Sequence, residues 1–348
     1  METILIYRLG SIGDTVVALP CFHKIASSFP NARRLALTNR PVSEKTTSLE
    51  SILKGSGLIH DSITYELKER RCSEFARLRR EIKSARIKLL IYLAQPRGRL
   101  QIFRDLAFFK WCGIRKIIGA PLTSDCYSLR RNSMTNEVER EAERLARCLT
   151  PLGPIDLSRL SSWDLVLTAN EETCAHSVLR NWQGRQFAVI SVGGKLESQN
   201  WGNNNWRRFI KLLSERTPEL GLLFVGAAAE SQRCAELASL WSGETKNCCG
   251  MLSPRESAAV MKFANVFVGH ESGPMHLAAS VGTRCVAMLG ANNPPKKWHP
   301  IGLGHKILHD RTDILNIRPE SVLAAVSDVL ANPNVADDER DFMLTNCP

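Results

Sequence analysis

The chain has 348 residues, 44% of them hydrophobic and 23% charged, an ordinary balance that excludes a mainly disordered, collagen-like or coiled-coil protein. At roughly 150 residues per domain the length suggests about two domains, each long enough to bury a core. The formal net charge is +11 and falls wholly in the first half: residues 1–170 hold 28 Lys and Arg against 17 Asp and Glu, and residues 171–348 hold 18 of each.

In chain order, apolar runs alternate with helical patterns. The first half predicts strands over 3–9, 33–39 and 88–94 and helices over 14–28, 72–86 and 137–149. The second half predicts strands over 187–193, 220–226, 265–271 and 284–290, with helices over 203–217, 229–242, 254–263 and 274–281. A last helix spans 319–333, with Pro at its start and its stop. Apolar strands separated by helices imply parallel sheets covered on both faces. The Pro-, Gly- and Ser-rich stretch 150–163 reads as a boundary. The expected organisation is therefore α/β: two Rossmann-like doubly wound domains with an interdomain cleft, at 1–165 and 166–331, and an acidic tail at 332–348.

No apolar run approaches the roughly 18 residues of a membrane span, and METILIYRLG lacks the basic and apolar regions of a signal peptide. A cytoplasmic protein is expected. Eleven cysteines, odd in number and without C-x-x-C, read as reduced thiols rather than as a zinc site or a disulfide framework.

The charge excess is densest at 68–88 and 96–116. It predicts an acidic partner: a phosphorylated substrate, an anionic membrane surface or nucleic acid. A solvated basic helix face would equally account for 68–88. Arg97, Arg99 and Arg104 follow LLIYLAQP, near a strand's carboxyl end, where α/β ligands bind. No helix-turn-helix, zinc finger or RNP-type motif accompanies the charge, so no nucleic-acid partner is expected.

Four strand-to-helix loops could carry chemistry. In LGSIGDTVVALP (9–20), Gly10 and Gly13 permit a tight turn and close approach of a ligand; Asp14 either projects into the cleft or caps the helix. In VGHESGPMHLAAS (268–280), a helix begins near Pro274, and the N–H groups around Ser272, Gly273 and Met275 make a diphosphate cradle. There Glu271 can accept from sugar hydroxyls, and His276 either donates to phosphate or is structural. In SVGGKLESQNWGNNNW (191–206), Gly193 and Gly194 precede Lys195, which either neutralises a leaving diphosphate or is solvated. In FVGAAAESQR (224–233), Glu230 either binds ribose hydroxyls or favours the helix dipole.

Together these segments resemble the heptosyltransferases of glycosyltransferase family 9. ILIYRLGSIGDTVVALPCFHKI is similar to the family's N-terminal signature, and FVGHESGPMHLAASVGTRCVAMLGANNPPKKWHP to its C-terminal one. GGKLESQNW, the helix start near Glu230 and GMLSP (250–254) fall between them in the expected order. The resemblance covers about 1–330. It implies a GT-B fold and inverting transfer from a nucleotide-activated sugar, usually ADP-heptose, to a lipopolysaccharide core or other acidic glycan. The basic half separately suggests peripheral contact with an anionic membrane, although no amphipathic anchor stands out.

The resemblance also implies roles. Asp14 is the general base, with Gly13, Arg97, Arg99 and Arg104 on the acceptor side. Leu252 packs on the nucleobase, and Glu230 and Glu271 hold hydroxyls. The diphosphate leaves against residues 272–275, helped by Lys195 and His276. The family's lysine usually sits just before a Trp-Pro, where this chain has Asn200-Trp201-Gly202, so Lys195 is expected in its place. At 271 the family usually has Asp. No D-x-D occurs, which fits transfer without a metal, and no cofactor is expected. The alternatives are a GT-B nucleotide-sugar epimerase and a nucleotide-sugar-binding protein without transferase activity.

Overall fold

A computed structural model of the chain describes residues 2–40, 47–66, 72–182, 184–194 and 196–332. The chain divides into two compact units after Val166. Each is built on a parallel sheet with helices.

The first unit runs β1 (Thr3–Tyr7), α1 (Ile12–Val16), α2 (Leu19–Ser28), β2 (Arg33–Asn39), α3 (Glu50–Leu53), β3 (Asp61–Tyr65) and α4 (Cys72–Ser84). It continues through β4 (Leu89–Tyr92), α5 (Arg99–Trp111), β5 (Lys116–Ile118), α6 (Ser124–Tyr127) and α7 (Glu141–Cys148). The sheet order is β3-β2-β1-β4-β5, all parallel, with Leu5 in register with Leu35 and Leu90. Residues 4–7 and 89–92 are buried without alternation, as expected for strands covered on both faces. Leu78 and Ile82 of α4 and Phe109 of α5 pack with Leu5, Leu37 and Leu90.

Two local readings change. The helix expected over 14–28 is two helices, α1 and α2, because Pro20 sits in the first turn of α2, where its missing N–H costs nothing. The stretch 96–116 contains α5, a helix of 13 residues. The stretch 150–163, at the end of the expected first domain, packs with the first unit: Trp163 is buried, its indole donates to Leu157 O at 3.1 Å, and His23 meets Asp164 O at 2.7 Å.

The second unit runs α8 (Ala169–Leu179), β6 (Phe187–Ser191), α9 (Asn203–Arg216), β7 (Gly221–Phe224), α10 (Ser231–Ala238), β8 (Thr245–Asn247) and α11 (Pro254–Met261). It ends with β9 (Val266–His270), α12 (Gly273–Ser280), β10 (Cys285–Leu289), β11 (Lys306–His309) and α13 (Pro319–Ala331). The order is β11-β10-β9-β6-β7-β8, all parallel, with Ile190 in register with Val268 and Phe224. Its core gathers Trp201, Trp206, Phe209, Val268 and Val326. Trp206 stands edge-on to Trp201 at 5.1 Å. The tail expected at 332–348 lies, from 333 onward, outside the described residues. Among the described residues no helix is long and apolar enough to cross a membrane, and every cysteine is a free thiol.

In both sheets the chain leaves the first strand in one direction and returns to its other side. The strand order therefore reverses between β1 and β4, and between β6 and β9. Ligands of doubly wound sheets bind beyond the carboxyl ends of strands at such switch points. The candidate residues cluster at both.

Candidate functional site

In the first unit the switch point is organised by a buried cation. Arg8, fully buried just past β1, donates from Nε to the Asp14 carbonyl at 3.1 Å and from Nη1 to the Leu93 carbonyl at 2.7 Å. It thus ties the start of α1 to the end of β4. Gly10 has φ +127°, and a Cβ there would fall 2.3 Å from the Cβ and Cγ of Asp14. Only glycine suits both the backbone and the contact. Ser11 is the N-cap of α1 and Asp14 its third residue, so Asp14 is not itself the cap. Its Oδ2 accepts from the Ser11 N–H at 2.9 Å, and its Oδ1 accepts from Gln95 Nε2 at 2.8 Å. About a fifth of the side chain (21%) reaches solvent. Gly13 lies in the same helix turn. A carboxylate held by both oxygens yet open to solvent suits proton abstraction from a bound hydroxyl.

The three arginines assigned to the acceptor do not form one cluster. Arg97 Nη2 donates to Tyr7 Oη and to Asp105 Oδ2, each at 3.0 Å. Arg104 pairs with Asp105 Oδ1 at 3.1 Å. Arg99 instead lies over the Tyr127 ring at 5.3 Å. Asp105 is buried and also accepts from Tyr92 Oη at 3.1 Å. Burial pushes the Tyr7 and Tyr92 phenols up, so both remain hydroxyl donors.

In the second unit the loops after β6, β7 and β9 converge. Glu230, at the start of α10, accepts the Ala227 N–H at 3.0 Å. Its carboxylate lies in a slot formed by two glycines: a Cβ at Gly193 would fall 1.7 Å from Oε1, and one at Gly226 would fall 2.0 Å from Oε2. Gly194 follows in the same loop. Leu252 is half-buried beyond Gly250, whose N–H bonds Gly226 O at 2.9 Å. The Leu252 loop is thereby joined to the Glu230 loop.

At the end of β9, Glu271 is half-buried, and desolvation pushes its carboxyl up to about 7, opposed by the Asn293 amide and the Lys297 charge. Asn293 Nδ2 donates to its Oε1. Ser272 caps α12 by position, yet its hydroxyl makes no cap bond; Ser272 Oγ is buried and has no partner among the described residues. Gly273 and Pro274 open the helix, and Met275 and His276 are buried. His276 stands edge-on to Trp298 at 6.2 Å. The first N–H groups of such a helix have no intrahelical acceptor. Free N–H groups at a helix start favour an anion. Lys195 lies outside the described residues.

Two residues of this site had not been singled out. His270 is fully buried and its imidazole pKa is pushed down to about 4 by desolvation. It is therefore neutral: Nε2 accepts the Trp201 N–H at 3.2 Å and Nδ1 meets Gly193 O at 3.3 Å. Arg233, three residues after Glu230, donates to Val192 O at 3.3 Å and to Asn200 Oδ1 at 3.0 Å. Its Nε is buried without a partner among the described residues. Both lie inside segments already marked, VGHESG and FVGAAAESQR. The available signal was a polar residue at the end of an apolar strand and a cation one turn after Glu230.

The family model of glycosyltransferase family 9 (heptosyltransferase) matches residues 108–315. No curated protein matches the sequence. Among solved structures, the family 9 glycosyl transferase of Veillonella parvula DSM 2008 is 16% identical with a TM-score of 0.73, over 95% of this chain and 97% of that one. E. coli ADP-heptose lps heptosyltransferase II is 15% identical, TM-score 0.64, over 95% and 99%. E. coli heptosyltransferase WaaC with ADP is 16% identical, TM-score 0.63, over 94% and 100%. At these identities the likeness shows a shared GT-B fold, and the family model, matching more than half of the chain, shows descent: the protein is a glycosyltransferase belonging to family 9, the heptosyltransferase family.

Proposed function

We propose that the chain transfers a heptose, with inversion and without a metal, from ADP-heptose to a phosphorylated glycan acceptor of the lipopolysaccharide-core type, at the inner face of the cytoplasmic membrane. The observation that carries the donor half is the Ser272 hydroxyl, buried at the N-terminus of α12 and without a partner among the described residues. Burying a hydroxyl unpaired is costly, and a diphosphate oxygen would satisfy it. The WaaC structures hold ADP and an ADP-fluoroheptose, which supports ADP-heptose as donor.

In the proposed reaction, Asp14 takes the proton of the acceptor hydroxyl as that oxygen attacks the anomeric carbon. The bond from that carbon to the diphosphate breaks, and the leaving charge is met by the α12 N-terminus, Ser272, His276 and Lys195. Arg233 adds positive charge beside the Val192–Gly194 loop. Glu230 holds ribose hydroxyls and Leu252 the base. Glu271, partly protonated near neutrality, both donates to and accepts from a sugar hydroxyl. Arg97, Arg99 and Arg104 meet the acidic acceptor.

The test is calorimetric titration with ADP, GDP, UDP and CDP in EDTA, followed by transfer with the donor so identified. Selective, EDTA-resistant ADP binding and acceptor-dependent ADP release are expected. Turnover of the donor without acceptor would mark an epimerase, and no binding of any nucleotide would refute the proposed site.

A further inference from the structure

α5 carries apolar residues on two opposite faces, whereas a surface helix usually shows one apolar stripe. Its inner face, Ile102, Phe109 and the paired Asp105, packs in the unit. Its outer face carries Leu100, Phe103, Ala107 and Trp111, spaced by three and four residues and therefore in one row. Leu100 is 83% exposed, Phe103 60% and Trp111 55%. The row continues onto α4, where Phe75 is 39% exposed and meets Phe108 edge-on at 5.7 Å. Arg79 of α4 lies 4.3 Å over the Trp111 ring.

The rim is basic. Arg80 and Lys83 on α4 and Lys110 on α5 are exposed. Three acids of α4 and α5 are already engaged: Glu74 and Glu81 pair with Arg77, and Asp105 pairs with Arg97 and Arg104. We infer that the α4–α5 face docks the protein on an anionic lipid bilayer, with Leu100, Phe103 and Trp111 entering the headgroup boundary and the α4 cations facing lipid phosphates.

Charge complementarity selects this occupant. The chain's entire positive excess lies in the first half, and an apolar wedge framed by Lys and Arg is what an acidic leaflet attracts. Trp beside Arg suits the interface, where one end of the ring is apolar and the other wet. The row spans most of a helix about 20 Å long, enough to lie flat on a surface. The inference rests on the membrane location proposed above but not on the transfer chemistry.

The test is flotation of the full-length protein with phosphatidylethanolamine–phosphatidylglycerol vesicles and with phosphatidylcholine vesicles, at low and high salt. Binding to the anionic vesicles only is expected, weakened roughly tenfold by high salt. The variant Leu100→Ser/Phe103→Ser/Trp111→Ser should weaken it by roughly tenfold or more, and so should Arg80→Glu/Lys83→Glu. Melting curves check that both variants fold, and the charge variant leaves the apolar row intact should the first not fold. Absent binding, equal binding to both lipids, or binding unchanged in a folded variant would overturn the inference. So would self-association of the wild type that the serine variant abolishes without any vesicle binding, because a second copy would then cover the face. ADP titration on the same preparation separates the two proposals: vesicle binding without nucleotide binding sinks the donor site alone, and the converse sinks this surface alone.

Discussion

Replacing Gly193 with alanine tests the Glu230 slot with a single methyl group. The backbone at 193 is outside the left-handed region, so alanine brings no conformational strain. Its Cβ would lie 1.7 Å from Glu230 Oε1 and 2.2 Å from Cδ, distances no structure tolerates. The clash is with the far end of a flexible side chain, so Glu230 swings away and the protein still folds. What is lost is the carboxylate's position and its bond from the Ala227 N–H. A hydrogen bond to a charged group contributes roughly 1.5–3 kcal/mol, so losing one carboxylate–ribose contact should weaken ADP roughly 10- to 150-fold. Inorganic diphosphate, which would meet α12 instead, should bind as before. Calorimetry reads both ligands. Glu230→Gln made in the Gly193→Ala background should add little further loss, because the carboxylate has already gone; contacting residues do not add. Unchanged ADP affinity in Gly193→Ala, or fully additive losses in the double variant, would refute the slot.

Asp14→Asn should lower turnover by roughly 10²–10⁴ and leave ADP affinity within a few-fold; substantial residual transfer would remove Asp14 as the base. Arg233→Met and Lys195→Ala should each weaken ADP more than adenosine in parallel titrations, whereas equal effects on the two ligands would argue against a phosphate role. Glu271 has a folded-state carboxyl pushed up to about 7 from 4.5. Its stabilisation is therefore complete below the unfolded value, declines as pH rises through about 7, and is flat above. Buried neutral His270, pushed down to about 4 from 6.5, acts in the opposite sense, with stability lost as pH falls through that window. The measurement is thus the melting difference between wild type and Glu271→Gln across pH: the wild type should lose ground to the variant as pH rises from about 4.5 to 7, and a flat difference would contradict the burial of Glu271.

The strands that could be read in advance are the ones buried on both faces. TILIY, FAVIS and CVAML are continuous apolar runs and become β1, β6 and β10. Edge or outer strands such as Asp61–Tyr65, Lys116–Ile118, Thr245–Asn247 and Lys306–His309 are short and half-exposed, so no apolar run announces them. α5 was hidden for the opposite reason: apolar and basic residues surround it, and no period stands out. α8 did carry a start signal, Thr168 followed three residues later by Glu171, which form a capping box. At the site, loops after strands were legible because Gly and a charged residue recur there. Their partners were not, since Gln95, Asn293 and Arg233 reach Asp14, Glu271 and Asn200 from remote sequence.

The His270 ring gives the donor loop a property of its own. One neutral imidazole grips the chain at Gly193 and again at Trp201, so the intervening segment is a closed bight whose two ends are fastened to β9. Its interior can change length at an entropic cost that grows only logarithmically and can exchange residues without moving the sheet. Residues within that bight can therefore be exchanged while β6 and β9 stay where they are. The fastening at Gly193 and Trp201 thus separates the sequence of the loop from the position of the sheet.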